Sequence, residues 1–282
     1  TQFDMTRPNR FLSRGLRLPV CDFTEHDLGQ ILLDASLHSR NWLSNACMHQ
    51  YAASCMLYGK ENRMKDMNIR VYSLAYPVTA LGPGQRAVLW VAGCGRGCAG
   101  CISPEMQPLD AGRAVPVARL AERVLGIYPP LDGMTVSGGE PFDQAESLAA
   151  FLRIVRRHRP AWTVIVYSGY VIGEIRADPV RTLLLKECDV LIDGPYQREM
   201  PRIHPLAGSG NQRVHGLTAA GEAMRAAMES GPVEQVNLGF GSGTLDMIIG
   251  VTERETRAAV CEAFHAGAPD AIQGQGNGSC GM

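Results

Sequence analysis

Two periodicities alternate through the middle of the chain. Ile69–Tyr76 and Arg86–Val91 are rich in Val, Leu and aromatic residues, the pattern of strands. Val117, Leu120, Val124 and Ile127 then recur at helical spacing, and Pro129-Pro130 ends that stripe. Gly133-Met134-Thr135-Val136-Ser137 reads as a short buried strand. Asp143 is placed to cap a helix whose stripe is Leu148, Phe151, Leu152 and Val155. Trp162–Tyr167 is again strand-like, Ile172–Leu185 is mostly helical despite Pro179, and Cys188–Asp193 is a further strand. Alternation of this kind predicts a parallel sheet with right-handed crossovers. A complete eight-unit barrel does not fit into this stretch. An open partial (β/α) barrel does, so the expected fold class is α/β.

The flanks have a different pattern. Thr24 and Asp27 are placed to cap a helix carrying Leu28, Ile31, Leu32 and Ala35. Leu43, Cys47, Tyr51, Cys55 and Tyr58 mark a second helical stripe, in which Cys47 and Cys55 read as small apolar residues rather than metal ligands. Toward the other end, Val236–Phe240 and Met247–Ile249 flank Gly241-Ser242-Gly243 as a β-hairpin. Thr252–Ala266 reads as a helix that buries Cys261, and the glycine-rich end makes Cys280 incidental. The expected organisation is a helical N-terminal extension over 1–66 and a core over 67–217. A hairpin-plus-helix extension covers 218–268, and 269–282 is a disordered tail.

Charge and composition narrow the class. A net charge of −1 over 282 residues argues against general nucleic-acid binding. Arg153, Arg156, Arg157 and Arg159 read as a solvated face at a helix end. No apolar run is long enough to span a bilayer and no signal peptide is evident, so no membrane partner is expected. Nine cysteines without a secretory signal point to a reducing cytoplasm.

Three of those cysteines carry the chemistry. Cys94, Cys98 and Cys101 form a C-x3-C-x2-C loop within Gly93-Cys94-Gly95-Arg96-Gly97-Cys98-Ala99-Gly100-Cys101. Three thiolates suit three irons of a [4Fe–4S] cluster, and no fourth cysteine lies nearby, so one iron keeps an open site. A structural zinc is the alternative, but it wants four ligands, and no second C-x2-C or C-x-H pair follows. Further along, Gly138-Gly139-Glu140-Pro141 closes the strand at 133–137. Two glycines at the carboxyl end of a strand let a ligand lie against bare backbone, where open α/β folds bind ligands. An ordinary βα turn has the same composition.

Together these motifs resemble the radical S-adenosylmethionine superfamily, and within it the small activating enzymes of anaerobic ribonucleotide reductase. Four further blocks carry the resemblance: Gly82-Pro83-Gly84-Gln85-Arg86-Ala87-Val88-Leu89-Trp90, Tyr167-Ser168-Gly169-Tyr170, Asp189-Val190-Leu191-Ile192-Asp193-Gly194-Pro195-Tyr196 and Gly208-Ser209-Gly210-Asn211-Gln212-Arg213. It spans about residues 68–217, in the family's order. Ile102 and Ser103 depart from the aromatic or His and the Asn common after the third cysteine.

The resemblance implies a [4Fe–4S] cluster on Cys94, Cys98 and Cys101, with S-adenosylmethionine bound at its open iron. It implies that Gly138 and Gly139 receive the amino group of that cofactor, that Glu140 and Pro141 shape the loop, and that a side chain at Gly139 collides with the methionine group. Gly100 and Ile102 would border the adenine, and Ser168 and Asp193 would reach the ribose. Gln212 and Arg213 would either hold a substrate backbone or pack their own loop. The reaction implied is reductive cleavage to methionine and a 5′-deoxyadenosyl radical. That radical would take a hydrogen from a glycine in a large partner enzyme, with a flavodoxin- or ferredoxin-type electron donor. Modification of a ribosomal peptide or a small metabolite is the alternative, and a simple Fe–S electron carrier a more remote one.

Overall fold

The computed structural model describes residues 67–128, 130–229, 236–241 and 244–251, together with helical positions 256, 258–260 and 262–263. The expectations for residues 1–66, for Cys261 and Cys280, for most of Thr252–Ala266 and for 269–282 lie outside the described residues.

Nine strands form two sheets among the described residues. Seven of them are β1 (Asn68–Val78), β2 (Arg86–Val91), β3 (Arg113–Pro116), β4 (Gly133–Gly138), β5 (Thr163–Tyr167), β6 (Val190–Asp193) and β7 (Arg213–Gly216). They make one sheet in the order β3-β1-β2-β4-β5-β6-β7. β8 (Asn237–Gly241) and β9 (Thr244–Ile249) pair only with each other. The fold is mixed α/β, and the centre of its sheet, β2-β4-β5-β6, is parallel as expected. The edges differ. β1 runs antiparallel to β2 and β3, and β7 runs antiparallel to β6. The turn over 79–85 is too short for the crossover that a parallel β1–β2 pair needs. β3 and β7 were not expected. Each has four residues, RAVP and RVHG, with none of the apolar run that marks a central strand.

Five helices with described bounds accompany the sheet among the described residues. They are α1 (Val117–Leu125), α2 (Ala145–His158), α3 (Ile172–Ala177), α4 (Pro179–Leu185) and α5 (Ala219–Glu229). Leu120 and Val124 of α1, and Leu148, Phe151, Leu152 and Val155 of α2, pack against Leu89, Met134, Val136, Val164 and Leu191 in one cluster. The single helix expected over Ile172–Leu185 is two. Asp178 is extended (φ −104°, ψ 117°), as a residue before proline prefers to be. Its carboxylate then caps α4 by accepting from the amides of Val180 and Arg181.

The capping expectation for Asp143 is also corrected. α2 starts from Gln144 without a side-chain cap, and Asp143 lies inside a 3-10 turn over Pro141–Gln144. Glu140 caps that turn by accepting from Phe142 N. The arginines of α2 do more than face solvent. Arg156 donates to Glu187 O and to Asp189 Oδ2, and Arg159 donates to Leu125 O. They tie the carboxyl end of α2 to its neighbours.

Candidate metal centre

The chain leaves β2 at Val91 and enters the cysteine loop. Gly93 N donates to Met106 O at 2.8 Å and Cys94 N to Gln107 O at 2.9 Å, which pins the loop's two ends together. Gly93, Gly97 and Gly100 hold φ of 93°, 59° and 67°. A Cβ at Gly97 would meet nothing within 4 Å, so its backbone angle alone asks for glycine.

Cys94, Cys98 and Cys101 are free and half-buried. Burial pushes the Cys94 thiol up, the carboxylates of Glu140 and Asp143 add to this, and the amides of Arg96 and Gly97 oppose it. Those amides already point at the sulfur. A thiolate in this setting needs a cation, and iron supplies one. Among the described residues no three His, Cys, Asp or Glu side chains are grouped to hold a single metal ion. A cubane cluster asks for something else, since each cysteine bonds a different iron and the sulfurs stand apart around it. Three thiols on a loop with inward amides fit that group better than one zinc.

The Gly138–Pro141 segment lies directly against this loop. Gly139 N donates to Val91 O at 2.7 Å and Glu140 N to Gly93 O at 2.8 Å. A Cβ on Gly139 would fall 2.2 Å from Gly93 O, and one on Gly138 (φ 108°) 2.3 Å from Val91 O. The glycine pair is therefore demanded by the protein's own backbone at the root of the cysteine loop. Pro141, buried with Phe142, opens the 3-10 turn that follows.

Glu140 joins this corner to the next strand. It is 1% exposed. Its Oε1 accepts from Phe142 N at 3.0 Å and Ser168 Oγ at 2.9 Å, and its Oε2 accepts from Gly169 N at 2.7 Å. Burial pushes its pKa up to about 7, against the pull of those three donors. Ser168 and Asp193 are likewise engaged. Ser168 N donates to Ile192 O, and Ser168 Oγ accepts from Tyr170 N. Asp193 Oδ2 accepts from Ile172 N at 2.6 Å at the start of α3. His215 Nε2 is 3.0 Å from Asp193 Oδ1, close enough for an ion pair but not aligned as a hydrogen bond. Hydrogen bonds thus run across the carboxyl ends of β2, β4, β5 and β6.

The far wall is the segment over 196–212. A Cβ on Gly100 would stand 3.0 Å from Arg198 Cδ, and one on Gly208 3.2 Å from Ile102 Cδ1, so Gly100 and Ile102 both face this segment. An open cavity of about 470 Å³ lies between Ala99–Gly100 and Tyr196–Met200. Gln212 packs its own loop, accepting from Gly208 N at 2.7 Å and donating to Gly194 O at 2.9 Å. Arg213 is exposed.

One group escaped the sequence. Arg96 of the cysteine loop and Arg181 of α4 each stack on Tyr170, 4.5 Å and 3.7 Å from the ring centre. The Tyr170 hydroxyl donates to Asp143 Oδ1 at 2.8 Å. This arrangement couples the loop to the helices. Its signal was the tyrosine in the 167–170 block, whose partners lie far along the chain.

Residues 80–215 match a family described as a 4Fe-4S single cluster domain. The chain is 30% identical to the anaerobic ribonucleoside-triphosphate reductase-activating protein of Vibrio cholerae, over 52% of this chain and 98% of that protein. The protein of the same name from Enterobacteria phage T4 is also 30% identical, with 52% and 94% covered. A pyruvate formate-lyase-activating enzyme from Clostridium pasteurianum is 28% identical over 44% of this chain and 50% of its own. With its cysteine loop and Gly138–Pro141 corner joined as described, the chain belongs to the radical S-adenosylmethionine family of the anaerobic ribonucleoside-triphosphate reductase-activating proteins.

Proposed function

We propose that the protein cleaves S-adenosylmethionine reductively and uses the resulting radical to place a glycyl radical in a large partner enzyme. The observation that carries this reading is the junction of the two motifs, Gly139 N on Val91 O and Glu140 N on Gly93 O. It brings the end of β4 beside a three-thiol loop.

Cys94, Cys98 and Cys101 would hold three irons and leave the fourth without a protein ligand. When bound, the [4Fe–4S] cluster supplies one electron to the sulfonium, whose cleavage yields methionine and a 5′-deoxyadenosyl radical. The chain's own residues bind and orient. Backbone at Gly138 and Gly139 receives the amino group, while Glu140 holds that backbone against the cysteine loop and against Ser168–Gly169. Gly100 and Ile102 border the adenine. Ser168 and Asp193 fix the loops around the ribose through the bonds described above. We read the parallel strands and their antiparallel edges as an open partial barrel, whose uncovered side a docking protein closes against water. The electron comes from a flavodoxin- or ferredoxin-type donor.

The test is anaerobic reconstitution followed by isotope transfer. Wild-type protein is expected to form a brown cluster and, once reduced, to release methionine and 5′-deoxyadenosine. Cys98→Ala is expected to lose both, and Cys188→Ala, whose thiol is buried and bonded to Leu184 O, neither. A partner deuterated at glycine Cα should pass deuterium to 5′-deoxyadenosine and gain a glycyl radical signal. Transfer from a short peptide or a metabolite alone would overturn the activase assignment.

A further inference from the structure

The sheet face opposite α1–α4 has its own apolar lining. Val88 and Trp90 of β2, Ile165 and Tyr167 of β5, and Val190 and Ile192 of β6 belong to it. Two separate covers lie on this face. Leu206, with Met224 and Met228 of α5, packs on the β5–β6 side. Met247, Ile249 and Val251, from β9 and the residues after it, pack on the β1–β2 side with Val78, Leu81 and Val88. Polar bonds hold the second cover at two places. Asn237 Oδ1 accepts from Thr79 N at 2.9 Å and Ala80 N at 2.8 Å, and Val251 O accepts from Arg202.

Tyr167 belongs to both clusters and so lies at the seam between the covers. Its hydroxyl is sealed from water and has no hydrogen-bond partner among the described residues. Buried polar groups are rarely left so. Burial pushes its ionisation far up, so it stays a neutral donor. The β8–β9 hairpin lies beyond residues 80–215, which match the iron–sulfur family, and the V. cholerae relative accounts for only 52% of this chain. The cover thus lies outside the part of the chain that matches that family.

We propose that the β8–β9 hairpin is a specificity element for a polypeptide substrate, and that the Tyr167 hydroxyl at its edge hydrogen-bonds that polypeptide's backbone. The proposal rests on the radical-enzyme reading above. An arriving segment must part the two covers at the seam. There the opened form gains a hydrogen bond that the closed form lacks. A neutral donor of this kind suits a peptide carbonyl. The hairpin resists being parted, so a slim segment around the reacting glycine enters more readily than a bulky one.

The test uses full-length, cluster-loaded protein and short synthetic peptides with a central glycine flanked by alanines, valines or phenylalanines. Wild type is expected to form 5′-deoxyadenosine faster with the alanine peptide than with the phenylalanine peptide. Ile249→Asp, which breaks the apolar seat, should reduce that preference about tenfold. Asn237→Ala, which loosens the polar anchor and leaves the core intact, should move it the same way. Tyr167→Phe should raise KM for every peptide and leave cleavage of S-adenosylmethionine alone unchanged. Hydrogen exchange supplies a readout apart from turnover, and residues 237–251 should exchange faster when the alanine peptide binds. An unaltered preference in both hairpin variants, an unaltered KM in Tyr167→Phe, or no peptide effect while S-adenosylmethionine alone is cleaved would overturn the proposal. If wild type cleaves no S-adenosylmethionine, the failure lies instead in the underlying activity.

Discussion

Glu140 and Gly139 show how single residues set this site. Glu140 keeps its proton in the fold up to a pH of about 7, against an ordinary 4.5, because burial penalises its charge. The folded state therefore binds the proton more tightly than the unfolded one. Its contribution to stability is fully present below about 4.5 and is lost as pH rises toward about 7. The size is on the order of 3 kcal/mol. Urea unfolding of the apoprotein should show this fall, and Glu140→Gln should flatten it. Above that window the glutamine should also unfold more easily by about 1–3 kcal/mol, since its amide nitrogen would face a backbone donor. Gly139→Ala is expected to lose iron as well as S-adenosylmethionine binding, because its Cβ strikes Gly93 O, 2.2 Å away, at the root of the cysteine loop. The sequence alone led to loss of cofactor binding only. Iron content and cofactor titration on one sample distinguish the two outcomes.

At the scale of elements, the central strands are held at their amino ends by Arg86. The side chain is fully buried. It donates to Thr135 Oγ1, Pro83 O, Met134 O, Thr163 Oγ1 and Thr163 O, so β2, β4 and β5 meet on one guanidinium. Burial lowers its pKa to about 10, so it remains charged at neutral pH. Arg86→Met should destabilise by about 1–3 kcal/mol or more, because it leaves buried carbonyl and hydroxyl acceptors without their donor. Arg86→Lys should recover only part of that loss, because a lysine cannot reach five acceptors in a plane. Denaturant midpoints check both. The helices carry a smaller example. Asp178→Ala removes the cap of α4 and should cost about 1 kcal/mol.

Over the whole molecule, Asp189 is the tie between layers. It accepts from Val164 N of β5, Arg156 of α2 and Thr218 at the start of α5. Gly221 brings α5 so close that an added Cβ would sit 1.8 Å from Asp189 O. Gly221→Ala should therefore push the helix off the sheet and cost about 1–3 kcal/mol, read from the thermal midpoint. No motif marks Gly221, and the 189–196 block does not show what Asp189 ties together, because each matters only through a neighbour distant in the chain.

The same distinction separates what was legible in the chain from what was not. Local patterns determined the central strands, α1, α2 and the hairpin strands, because burial on one or both faces leaves a period in the residues themselves. Cysteine spacing, the strand-end glycines and the four blocks around them pointed to the family, because each of these motifs is contiguous in the chain. Tertiary structure alone decided the short antiparallel edges β3 and β7, which form where a neighbour offers unpaired backbone. It decided that Glu140 caps the 3-10 turn while α2 starts without a cap from Asp143, and that Ser168 and Asp193 each accept from a backbone amide. It also decided that the glycine pair serves the chain's own backbone before any ligand. These are contacts between residues far apart in sequence, and a linear pattern carries no record of which polar group meets which.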